Sequence, residues 1–139
     1  MTPMYATNPL AEIAGEAAEA VRALNHRTLM RDSIAQPSEV YQLLGELYTL
    51  AGGLPQLLEQ LSRALTTQLD GGDMAIDPGS PYNDQADLAV ADARQYLADA
   101  AASAQTIYQQ LTAAQTAISA LYVRSAAGGV ARAAPGWGV

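Results

Sequence analysis

The chain has no cysteine, no phenylalanine and no lysine, and it carries a single tryptophan and a single histidine in 139 residues. Without cysteine there is no disulfide framework, no thiolate nucleophile and no thiolate metal site. Without phenylalanine a core has to come from aliphatic side chains, and alanine and leucine supply it. Those two residues have high helix propensity, and alanine's small size permits close helix–helix approach, whereas sheets prefer β-branched and aromatic side chains. Every cation is arginine, 7 against 14 acids, for a net charge of −7. That balance opposes direct contact with nucleic acid or with an anionic membrane surface. No apolar run approaches the roughly 18 residues of a membrane span. No cationic patch followed by an apolar run marks a secretory leader at residues 1–8. The expectation is a cytoplasmic protein with one domain, since about 100–150 residues is the usual domain size.

What is present is heptad patterning. Asn8 is suited to cap a first helix and Pro9 to open it. Leu10, Ala14, Ala17, Val21 and Leu24 then recur at alternating intervals of four and three. This helix is expected over about residues 9–29. Gln36–Pro37–Ser38–Glu39 starts a second, with the seam Val40, Leu44, Leu47, Ala51, Leu54, Leu58, Leu61 and Leu65. Leu43, Leu50 and Leu57 widen its apolar face. Gly52–Gly53–Leu54–Pro55 opposes a helix on local rules. The seam nevertheless crosses it in phase, which favours one kinked helix over about residues 37–70 rather than two helices. Gly71 is placed to adopt a left-handed C-terminal cap.

A third seam follows the turn-rich stretch at residues 71–83: Ala86, Val90, Ala93, Leu97, Ala100, Ala104, Ile107, Leu111, Ala114, Ile118 and Leu121. It predicts a helix over about residues 81–124. The glycines and Pro135 of residues 125–139 imply a flexible tail after a bundle domain at residues 1–124. Short connections make successive helices antiparallel. The fold class is therefore all-α: an antiparallel three-helix bundle, its third helix overhanging the second. Apolar stripes left open by that mismatch are expected to be covered by a second copy.

Catalytic and metal chemistry find little support. His26 stands near Arg22, Arg27 and Arg31 with no orienting carboxylate, and reads as a solvent-facing or capping residue. Glu12, Glu16 and Glu19 have helical spacing, but the Glu-x-x-His pairs of a di-iron bundle are missing. Residues 70–77 lack the terminal glutamate of a calcium loop. No catalytic, cofactor or metal residue is assigned, and single substitutions of His26, Glu12, Glu16, Glu19 or Asp92 are expected to leave activity intact. The candidate protein-interface residues are Tyr108, Leu111, Ile118, Leu121, Tyr122 and Trp137. Tyr108 and Tyr122 flank the third seam as polar-tipped aromatics, with edge-of-core packing as their alternative role. Trp137 is a lone aromatic that can dock into a partner's pocket, its alternatives being an untethered terminus or packing back on its own bundle.

The segments Arg22–Ala23–Leu24–Asn25–His26–Arg27–Thr28–Leu29, Val40–Tyr41–x–Leu43–Leu44–Gly45–Glu46–Leu47 and Leu54–Pro55–Gln56–Leu57–Leu58 carry a resemblance. Over about residues 10–65 the pattern resembles small, uncharacterised helical proteins of Streptomyces-like actinobacteria. The resemblance implies an intracellular actinobacterial protein and brings no activity or site residue with it. The chain is also similar to the helical hairpins exported by type VII secretion, but it lacks their Trp-x-Gly turn and Tyr-x-x-x-Asp/Glu signal.

The function expected is a non-enzymatic, self-associating helical protein that binds another protein, its partners being itself and an unidentified protein. The alternative is an accessory regulatory factor that engages a DNA-binding protein or mimics DNA through its acidic face. A secreted helical protein or a small-ligand carrier ranks below both.

Overall fold

The computed structural model describes residues 8–30, 32–124 and 130–132. The fold is mostly helical, with α1 at Pro9–Thr28, α2 at Pro37–Asp70 and α3 at Ala86–Ile118. Two short strands follow, β1 at Tyr122–Arg124 and β2 at Val130–Arg132, paired antiparallel with Tyr122 opposite Arg132 and Arg124 opposite Val130.

The helix starts have local causes. The Asn8 side chain accepts from the Leu10 N–H at 3.0 Å, and Pro9 occupies a position whose missing N–H costs nothing. At α2 the Glu39 carboxylate reaches back to the Ala35 N–H at 2.7 Å and the Gln36 N–H at 3.4 Å. Donors that no helical carbonyl can serve are thereby satisfied. The α2 helix then runs unbroken through Gly52, Gly53 and Pro55 to Asp70.

Three boundaries differ from the sequence expectation. The left-handed residue after α2 is Gly72, at φ +82°, while Gly71 remains right-handed at φ −68°. The third helix begins at Ala86 rather than near residue 81, because Asn83 and Asp84 are both left-handed, at φ 48° and 65°. A right-handed helix cannot pass through two such residues. It also ends at Ile118, and Tyr122–Arg124 form a strand instead of its last turn. The α2 and α3 helices consequently have 34 and 33 residues, so neither overhangs the other.

The α2 and α3 helices pack together, whereas α1 touches none of the other described elements. The bundle expected of three helices is thus a two-helix pair within one chain. Gln115 Nε2 donates to the Tyr41 carbonyl at 3.0 Å, and Arg94 Nε donates to Ser62 Oγ at 3.1 Å. Residue numbers rise along α2 as they fall along α3, so the pair is antiparallel. Between these ends the Tyr48 and Tyr108 rings meet edge to face with centroids 5.5 Å apart. Glycine allows the approach: a Cβ on Gly45 would lie 2.9 Å from Gln115 Nε2, and one on Gly52 would lie 3.1 Å from the Tyr108 ring. The β1–β2 ribbon also contacts α2.

The interior is thin. Ala51, Val90 and Ala104 are the buried apolar residues, and no large side chain is fully buried among the described residues.

Adjacent glycines in α2 predict opposite outcomes. Gly52→Val forces a branched side chain against Tyr108 and is expected to cost about 1–3 kcal/mol, the usual penalty of overpacking. Gly53 has nothing within 4 Å of its would-be Cβ, so Gly53→Ala should stabilise by about 0.5–1 kcal/mol through helix propensity alone. Thermal unfolding of both variants checks the pair. Shifts of the same sign would contradict the close contact at Gly52.

Candidate interaction surface

The α2–α3 pair has two long sides of unlike character. On one, Gln56, Glu59 and Ser62 of α2 meet Arg94 and Gln105 of α3 over Pro55 and Leu97, around an open groove of about 520 Å³. The Ser62 hydroxyl holds the Arg94 guanidinium across the pair. Glu59 pairs with Arg63 at 2.6 Å, with side-chain exposures of 62 % and 74 %. An ion pair so exposed adds little stability. The sequence seams showed almost no converging polar groups, yet the fold gathers these along one edge. All of them lie off the apolar seams, so apolar periodicity could not find them.

The opposite side is apolar. Leu61, Ala64 and Leu65 of α2 face Ala93, Tyr96, Leu97 and Ala100 of α3 across an open groove of about 660 Å³. Leu43, Leu50 and Leu57 lie at heptad steps from Ala64 and continue that edge along α2. Ile107 lies one heptad from Ala100 and continues the α3 edge. Leu50 and Leu57 are each 48 % exposed, Ile107 47 % and Tyr96 72 %. The leucine row that widened the second seam is the signal that located this surface.

The sequence-derived interface residues scatter. Tyr108 is half-buried against Tyr48 and Gly52, within the α2–α3 contact. Leu111 is half-buried on α3. Ile118 and Leu121 border a separate apolar groove of about 320 Å³ with Ile34, Pro37 and Val40. Tyr122 is exposed on β1. Trp137 lies outside the described residues. His26 is exposed in the last turn of α1, and Glu12, Glu16 and Glu19 line an open surface of the same helix. Among the described residues no three His, Cys, Asp or Glu side chains gather as metal ligands, and no helix is long and apolar enough to cross a membrane.

Among the described residues the Tyr82 phenol is perturbed. Hydrogen bonding to Asp92, reinforced by its negative charge, raises the Tyr82 phenol above its ordinary value. The folded state therefore favours the neutral phenol. Its contribution is fully present below pH about 10, the ordinary phenol pKa, and is lost as pH rises through the raised folded value. Asp92→Asn should bring this phenol down toward its ordinary range. Phenolate absorbance during alkaline titration, read as the difference between each Tyr82 protein and its Tyr82→Phe counterpart, measures the shift. An unchanged midpoint would remove Asp92 as the cause.

No protein family model, curated protein or solved structure matches this chain.

Proposed function

We propose that this is a non-enzymatic helical protein that acts through protein–protein contact in the cytoplasm, and that it self-associates through the apolar side of the α2–α3 pair. In this reading dimerisation completes a helical bundle. The α2 helix bends at Pro55, whose ring removes the donor that the Ala51 carbonyl would otherwise use. The protein requires no cofactor, and its acidic character directs it away from nucleic acid and membranes.

The observation that carries the reading is the disproportion between core and open apolar surface. Among the described residues three apolar side chains, all small or medium, are buried, while Leu50, Leu57, Leu61, Tyr96 and Ile107 are each nearly half exposed or more. Folding has to offset about 1–2 kcal/mol of backbone entropy for each ordered residue, chiefly by burying apolar surface. A chain exposing its larger leucines and burying alanines falls short alone.

Light scattering coupled to size exclusion at micromolar concentration tests the proposal. The expected mass is twice the 14.5 kDa chain. A single-chain mass under those conditions rejects it.

A further inference from the structure

We propose that α1 of one copy lies along the apolar side of the α2–α3 pair of a second copy, reciprocally, so that each three-helix unit is built from two chains. The inference rests on the self-association proposed above and names the segment that performs it.

The α1 helix is amphipathic. Leu10, Ala14, Ala17, Val21 and Leu24 form one stripe, and Glu12, Glu16 and Glu19 stand on the other side. The stripe is open, with Leu10 73 %, Val21 41 % and Leu24 37 % exposed, and α1 touches none of the other described elements of its own chain. Helices in proteins gain most of their stability from tertiary packing of such a face, so this one calls for a cover.

The dimensions agree. With 20 residues, α1 is about 30 Å long. The leucine edge of α2 from Leu43 to Leu61 spans about 27 Å. Of the two sides of the pair, the one bearing that edge is the more apolar, with Gln68 the polar residue of its groove; the other adds Gln56, Glu59, Ser62, Arg94 and Gln105 to Pro55, Leu58 and Leu97.

The structure also favours a second copy over the chain's own hairpin. The junction that leads into α2 is already engaged: Glu39 holds the Ala35 N–H, and Ile34–Pro37 border Val40, Ile118 and Leu121. Beyond that junction α1 stands off its own hairpin. A second copy covers both open stripes and leaves the engaged junction in place. Reciprocal exchange covers the α1 stripe and the hairpin edge of both copies in the dimer.

The absence of cysteine gives a clean test. Ala17 is central in the α1 stripe, and Leu57 and Leu50 are central in the hairpin edge, so they meet whichever way α1 runs. A short-tagged chain carrying Ala17→Cys and a long-tagged chain carrying Leu57→Cys are unfolded together, refolded and treated with a short bismaleimide. Circular dichroism confirms that each variant retains its helix content, and Leu50→Cys replaces Leu57→Cys if it does not. The expected result is a cross-linked product of mixed tag size. A double variant, Ala17→Cys with Leu57→Cys, should likewise cross-link between chains. Cross-linking of the double variant only within single chains overturns the exchange, because α1 would then close on its own hairpin. A dimeric mass with no mixed product also overturns it, while leaving self-association standing. A monomeric mass removes both.

Discussion

Ala104→Asp is expected to abolish cooperative folding at room temperature. Ala104 is 4 % exposed, in the middle of α3 where it faces α2. Its helical neighbours one turn away are Ala100, Ala101, Ile107 and Tyr108, none of which can neutralise a carboxylate. An uncompensated buried charge costs about 3–5 kcal/mol. Small domains have only about 5–15 kcal/mol of stability to lose, and a core this thin belongs at the low end. Ala102→Asp is the matched control. Ala102 is exposed on the same helix, so the change costs only the difference in helix propensity, under about 1 kcal/mol. Urea unfolding followed by circular dichroism reads both variants. A two-state transition for Ala104→Asp near that of the parent would mean that the α2–α3 contact is not the core.

Leu57→Asp should act on assembly instead. The side chain is 48 % exposed in one chain, so the helical pair can hydrate the new carboxylate when separate. Once the apolar side is covered, the charge is buried without a partner. At about 3 kcal/mol or more per site, with two such sites in the dimer, association weakens by about 10,000-fold or more. Sedimentation equilibrium across a concentration series would show the midpoint moving by that factor. Leu88→Asp distinguishes a surface effect from a general one. Leu88 is 47 % exposed but lies on α3 away from the apolar groove, in the first turn of the helix, where a carboxylate is welcome. It should leave association unchanged. Equal weakening by both substitutions would remove the proposed surface.

The sequence made the helices more legible than their partners. Asn8–Pro9 and Pro37 mark starts that depend on local chemistry, and the structure opens α1 and α2 there. Continuity through Pro55 was readable because apolar phase is preserved across it. The contact face of α2 was half readable. The leucine seam passes through Leu44, Ala51, Leu58 and Leu65, which it shares with the face toward α3. Its other members, such as Leu61, belong to the open side, while Tyr41, Tyr48, Gly52 and Ser62 meet α3. A broad apolar stripe has two edges, and periodicity does not say which neighbour each edge will meet. Leucine count favoured the open edge, whereas close approach required glycine. The late start of α3 depends on two left-handed residues, Asn83 and Asp84, and no heptad pattern encodes backbone handedness. The missing contact of α1 was illegible for a related reason: an amphipathic stripe specifies that something covers it, not which chain supplies the cover.

Gly45 and Gly52 are seven residues apart, and so are the side chains that press on them, Gln115 and Tyr108. An alanine–leucine seam by itself is nearly degenerate under sliding, since a shift of one heptad sets similar side chains opposite one another again. The two notches and two knobs lift that degeneracy. After a one-heptad slide, only one notch still faces a knob, and the remaining bulky group meets a position with a Cβ. The spacing of two small residues thus selects a single alignment from a ladder of near-equivalent ones.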